Sequence, residues 1–240
     1  MRTDARAMMV ALTEGGTLAV LGCMSVMLLA LAATLSRSGL IALVVAVLAG
    51  TSLSQADRKR VVWSAAVVTG ALVPLLVWMN AEGFAERVIT SVSAQQVDAV
   101  GRLTIWKETL HIVRTFPLLG TGVGTFADAM FAYQRTGRAV LFNHAHNEYL
   151  QIATEGGILM LSLVFCGLIL LARAAWRTLT ADMTSYRFLR AGACAGLVAI
   201  AVQSIWETGL RAPANLALAG VLAGMALAAR GNTGPERAGV

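Results

Sequence analysis

Six uncharged, apolar runs, at residues 17–35, 38–56, 61–81, 156–172, 191–206 and 212–229, fix most of what this chain can fold into. A helix that crosses the hydrocarbon of a bilayer needs about 20 mostly apolar residues, and it is favoured there because it pairs its backbone groups internally. Charged residues make up 13% of the sequence and hydrophobic ones 57%, where a soluble domain carries about 25% charged residues. The sequence therefore predicts an all-α fold, a polytopic integral membrane helical bundle of about six transmembrane helices forming one membrane domain over 1–240. The first two runs are parted only by "LSRSG". One helix over both would be roughly 60 Å long, twice the membrane core, so the chain has to reverse near Ser36 to Gly39.

Charge supplies the sidedness. With the spans alternating, the N-terminus, Asp57–Arg60, Arg173–Arg190 and the tail share one side and hold eleven of the 19 Lys and Arg residues. The short loops opposite hold two, Arg37 and Arg211, and the positive-inside rule counts short loops. Both termini are thus expected in the cytoplasm and the long segment 82–155 outside. The basic residues lie in short clusters between spans, which argues against nucleic acid as a partner. No cleavable signal is expected, because a full-length span follows the basic N-terminus. Cys23, Cys166 and Cys194 sit in apolar runs and form no disulfide framework.

Four polar features then gather on the outer side. Arg37, between two spans, either snorkels to lipid headgroups or offers its planar fork of donors to an anion such as phosphate. Residues 101–116 read as an amphipathic helix, with Leu103, Trp106, Leu110 and Val113 at helical spacing and Arg102, Lys107, Glu108 and Arg114 elsewhere; such a helix can also simply lie in the interface. Pro117 ends it, and Gly120, Gly122 and Gly124 make a pliable loop that is not a nucleotide fingerprint. His111 reads as an ordinary interfacial residue. Arg211 lies in "ETGLRAP", between the last two spans.

The fourth feature, "HAHNE", places His144 and His146 just before an apolar run. On an extended segment both rings share a face, and Glu148 or Asp128 could complete a metal site. If a helix begins near Asn143, the two point about 200° apart and cannot share an ion easily. A pair of structural interfacial histidines is a second reading. Acid–base work is the third, since histidine transfers protons near neutrality.

Taken in order, "SRSGLIAL", "GRLTIWKETL", "PLLGTGVGTF" and "HAHNEYLQIATEGGIL" resemble the O-antigen ligase and O-antigen polymerase superfamily of bacterial envelope glycosyltransferases. The ligase-type pattern of His, a small amide or hydroxyl residue, nine residues and Gly is met by His146, Asn147, 148–156 and Gly157. A hydroxyl three residues past that glycine is not, since Met160 stands there. The likeness spans roughly residues 30–225.

That resemblance implies a metal-independent glycosyltransferase of the bacterial inner membrane, needing no cofactor, with its active face in the periplasm. Its donor would be an undecaprenyl-diphosphate-linked glycan, and its acceptor lipid A core, a polysaccharide chain end or a protein hydroxyl. Arg37 and Arg102 would bind the donor diphosphate and His146 would act as base on the acceptor. His144, Asn147, Glu148 and Arg211 would support them, Glu148 by orienting His146. Members usually carry more spans, so the chain reads as the C-terminal part of that fold, its opening "MRTDARAMMVALTEGG" resembling a connection between spans. The competing expectation is a non-catalytic fragment or membrane subunit that binds lipid-linked glycan. A transporter fits less well, because no ionisable residue sits mid-span.

Overall fold

The computed structural model describes residues 15–34, 36–54, 70, 101–135, 142–184 and 186–228. All regular structure among them is helical: α1 (Gly15–Ala33), α2 (Arg37–Leu53), α3 (101–115), α4 (Phe126–Tyr133), α5 (Glu148–Ala181), α6 (Tyr186–Gln203), a 3₁₀ turn (Gly209–Arg211) and α7 (Pro213–Leu227). The expected span at 61–81 lies outside the described residues, residue 70 apart. The break between the first two apolar runs falls where "LSRSG" placed it. Ser36 caps α2 by accepting from the Gly39 N–H at 3.2 Å, and a Cβ at Gly39 would come within 2.7 Å of the Leu31 side chain of α1.

α5, of 34 residues, is the one helix among those described that is both long and apolar enough to cross a bilayer; 18–31, 38–53 and 213–227 are shorter apolar helices. Almost none of the apolar stretch of α5 is buried against protein, and Leu163 and Leu170 are more than half exposed. Water would penalise so much bare hydrocarbon, whereas lipid is a matched solvent for it. α1 is similarly bare, with Leu18, Val26 and Met27 exposed.

Small residues bring the helices together. α2 packs chiefly on α6, where a Cβ on Gly50 would lie 3.3 Å from that of Ala195. Ala175 of α5, Ala193 of α6 and Ala226 of α7 form a buried cluster edged by Leu197, Leu222 and Met225. In lipid there is no hydrophobic gain from joining two apolar helices, so close backbone approach and dispersion have to hold them, and alanine and glycine permit it.

A second core lies at the end where α5 begins. Ile105 and Ile112 of α3, Phe126, Ala129 and Met130 of α4, and Ala145 pack together, with Phe116, Phe142 and Leu150 around them. This turns α3 differently from the stripe read in the sequence. Leu103 and Leu110 are exposed, while Ile105, Thr109 and Ile112 are buried with Glu108. Spacing identified the helix, but two apolar stripes compete on it, and the contact with α4 selects the one with the isoleucines.

α5 is broken at Gly157, whose φ of 63° and ψ of −166° are open essentially to glycine alone. The loop after α3 fills the break. The N–H groups of Thr121 and Gly122 donate to the carbonyls of Thr154 and Glu155 at 2.8 and 2.9 Å, and those of Ile158 and Leu159 donate to Pro117 and Leu118 at 2.8 and 3.3 Å. Carbonyls orphaned at the end of one half and N–H groups orphaned at the start of the next are thereby paired. Gly120, with φ of 67°, is needed for the approach: a Cβ there would sit 2.5 Å from the Thr154 oxygen.

Candidate active site

The break divides α5 into a polar half, 148–156, and an apolar half beyond Gly157. Asn147 starts the polar half, its side chain accepting from the Leu150 N–H at 3.0 Å. The nine residues between Asn147 and Gly157 are therefore one complete short helix, capped at one end and stopped at the other. The Glu148 N–H donates to the Ser204 carbonyl at 2.9 Å, and the Tyr149 hydroxyl to that of Ala201 at 2.8 Å, so this half is fastened to the end of α6.

That fastening brings "HAHNE" beside "ETGLRAP". His146 precedes the cap with φ of 48°, the one non-glycine residue with positive φ among those described. Its Nδ1 is buried, lies 3.8 Å from Glu207 Oε2 and has no hydrogen-bond partner, yet the side chain as a whole is 43% exposed. The ring thus keeps one nitrogen inward beside a carboxylate and turns its other edge outward. At 3.8 Å the inner contact is electrostatic and longer than a hydrogen bond. Glu207 Oε1 accepts from Arg102 Nη2 at 3.0 Å, which joins α3 to the same carboxylate. The other guanidinium donors of Arg102 remain for an anion.

Beside this trio lies a second one. Arg211 Nη2 donates to Glu155 Oε2 at 2.9 Å, and its Nε is 3.4 Å from Glu148 Oε1. Both carboxylates are buried, and Glu148 Oε2 has no hydrogen-bond partner. Glu148 stands in the polar half of α5, ahead of the uncharged apolar run 156–172. Burial, only partly opposed by the Arg211 charge, raises its carboxyl above the usual carboxylate range. Gln151 Nε2 lies 3.3 Å from both Glu155 Oε1 and His144 Nδ1, so the exposed His144 turns that nitrogen to the network.

The structure thus brings together Arg102, His144, His146, Asn147, Glu148 and Arg211. Arg37 is the first residue of α2. Among the described residues the carboxylate paired with His146 is Glu207, while Glu148 faces Arg211. His111 meets Arg135 on the outside of α3, and Asp128 is exposed on α4. Among the described residues no three His, Cys, Asp or Glu side chains are grouped as a metal site requires.

Glu207, Gln151 and Glu155 carry site contacts that the sequence did not single out. Two signals were available. Glu148, Gln151 and Glu155 recur at helical spacing on an otherwise apolar helix, and Glu207 is the acid that closes the run 191–206.

The regular structure among the described residues is thus all helical, with one bare helix long enough to cross a bilayer and a cluster of histidine, arginine and carboxylate at one end of it. The O-antigen ligase family model matches residues 22–165, more than half of the chain, and the chain belongs to that family of envelope polysaccharide glycosyl transfer. The match takes in His146, Asn147 and Gly157 and stops before Glu207 and Arg211. No curated protein matches the chain.

Proposed function

We propose that the protein transfers an undecaprenyl-diphosphate-linked glycan onto an envelope acceptor hydroxyl, at the periplasmic face of the bacterial inner membrane. The observation that carries this reading is the placing of His146, with its buried Nδ1 beside Glu207, its outer edge open, and Arg102 on the same carboxylate.

In the reaction, the bond between the anomeric carbon and the diphosphate oxygen breaks, and that oxygen leaves with the electron pair. The acceptor oxygen forms the new glycosidic bond and gives its proton to His146 Nε2. The Glu207 charge beside Nδ1 then stabilises the imidazolium that results. Arg102, with Arg37, neutralises the departing diphosphate, as fixed donors can where charge develops. Asn147 holds the helix start behind the base, and Arg211, Glu148 and His144 support it from below.

The test is glycan transfer in cells lacking their own ligase and polymerase, comparing wild type with His146→Ala. General-base removal is expected to lower kcat by about 10²–10⁴-fold. Transfer at the wild-type rate would refute the base assignment. Binding of lipid-linked glycan without any transfer by the wild type would instead support a non-catalytic subunit.

A further inference from the structure

We infer that Gln151 is a positioning residue for His146, the hub through which the ion pair of Arg211 with buried Glu155 holds the backbone that carries the base. This rests on the reading of His146 given above, and it adds Gln151, Glu155, Ala145 and Trp106, to which that reading gives no role.

The geometry is specific about direction. Gln151 is 1% exposed. Its Oε1 accepts from the Ala145 N–H at 3.1 Å, while its Nε2 donates to Glu155 Oε1 at 3.3 Å and lies equally far from His144 Nδ1. Turning the amide over would set oxygen against a carboxylate and NH₂ against N–H, so the network itself fixes the orientation. Glu155 is in turn fixed by Arg211 at 2.9 Å. A connected line therefore runs from the turn before α7, through two buried side chains of α5, to the residue before His146.

Ala145 is gripped on both faces. Gln151 holds the peptide plane that precedes it, and Trp106 Nε1 of α3 donates to its carbonyl at 2.9 Å, holding the plane that joins it to His146. On the other side Asn147 is fixed as the cap of α5. His146 has to span these anchored planes, and it does so with φ of 48°. A left-handed conformation in a residue with a Cβ persists only where its surroundings over-determine it. The same conformation turns the ring toward Glu207. Release of the Ala145 plane would let His146 relax into an ordinary φ and swing the imidazole away.

The test exchanges the two ends of one hydrogen bond. Gln151→Glu keeps an acceptor for Ala145 but loses the donor to Glu155 and opposes two carboxylates. Glu155→Gln added to it restores donor to acceptor with the polarity reversed and the same net charge. In proteoliposomes supplied with an undecaprenyl-diphosphate glycan donor, Gln151→Glu should lower kcat by about ten- to hundredfold, the scale of a sub-ångström to 1 Å misplacement, with the donor KM little changed. The double variant should recover to within about threefold of wild type, which a simple loss of packing would not do. Amide exchange at Ala145, followed by mass spectrometry in nanodiscs, should quicken about five- to tenfold in the single variant and return in the double. This second readout needs no turnover.

A single variant with wild-type kcat and wild-type exchange would overturn the inference, and so would a double variant no better than the single. Such results with His146→Ala inactive would leave the base reading standing. Full transfer by His146→Ala would remove that reading, and the inference with it, whatever the exchange data gave.

Discussion

Gly157→Ala tests the break in α5 directly. At Gly157 a Cβ would lie 2.3 Å from the carbonyl carbon and oxygen of Leu118 and 2.6 Å from the Leu119 nitrogen. Those are backbone atoms, so no side chain can swing aside. Relief requires the loop after α3 to lift, at the expense of the bonds from Ile158 to Pro117 and from Leu159 to Leu118. Two such bonds contribute about 1 kcal/mol each, and a side chain at this φ and ψ costs about 1–3 kcal/mol. The expected loss is thus roughly 3–5 kcal/mol, a large part of the about 5–15 kcal/mol that holds a typical domain. Two other glycines calibrate the scale. Gly124 has φ of 79° with nothing within 4 Å of its would-be Cβ, so alanine there meets only the left-handed backbone cost of about 1–2 kcal/mol. Gly167 lies in regular helix with the same open space, where alanine should be neutral or stabilising by up to about 1 kcal/mol. Thermal unfolding in nanodiscs, followed by intrinsic tryptophan fluorescence, should rank Gly157→Ala far below Gly124→Ala, and Gly124→Ala below Gly167→Ala. Equal midpoints for Gly157→Ala and Gly124→Ala would show that the loop does not fill the break as described.

Glu207→Gln keeps an oxygen for Arg102 but removes the charge beside His146 Nδ1, and should lower kcat for glycan transfer by about ten- to hundredfold; unchanged kcat would separate Glu207 from the chemistry. The raised carboxyl of Glu148 gives a pH signature. Its stabilising contribution is whole below the ordinary carboxylate pKa and is lost as pH rises through the higher folded value, so Glu148→Gln should gain Tm on wild type as pH rises above the ordinary carboxylate range. Parallel Tm curves would contradict this. Ala193→Leu, at a position 2% exposed between Ala175 and Ala226, should destabilise by about 1–3 kcal/mol through overpacking, whereas leucine at exposed Cys166 should be close to neutral in the same unfolding assay.

The sequence by itself determined the helical class, the ends of several helices and the neighbourhood of the site. Apolar runs, the reversal near Ser36 to Gly39, Pro117 and the spacing from His146 to Gly157 are local signals, because span length and backbone restrictions depend on a few adjacent residues. Charge alternation likewise put 82–155 and Arg211 on one side, and the structure pairs Arg102 with Glu207 and Arg211 with Glu148 and Glu155. Only the tertiary structure decided which carboxylate meets which cation. Glu148 is two residues from His146 yet turns to Arg211, while Glu207, far along the chain, takes the place beside the ring. The face of α3 that packs and the filling of the α5 break by the loop after α3 were decided the same way. Each depends on residues distant in sequence competing for the same buried donors, acceptors and volume, and a pattern along the chain does not encode the outcome of that competition.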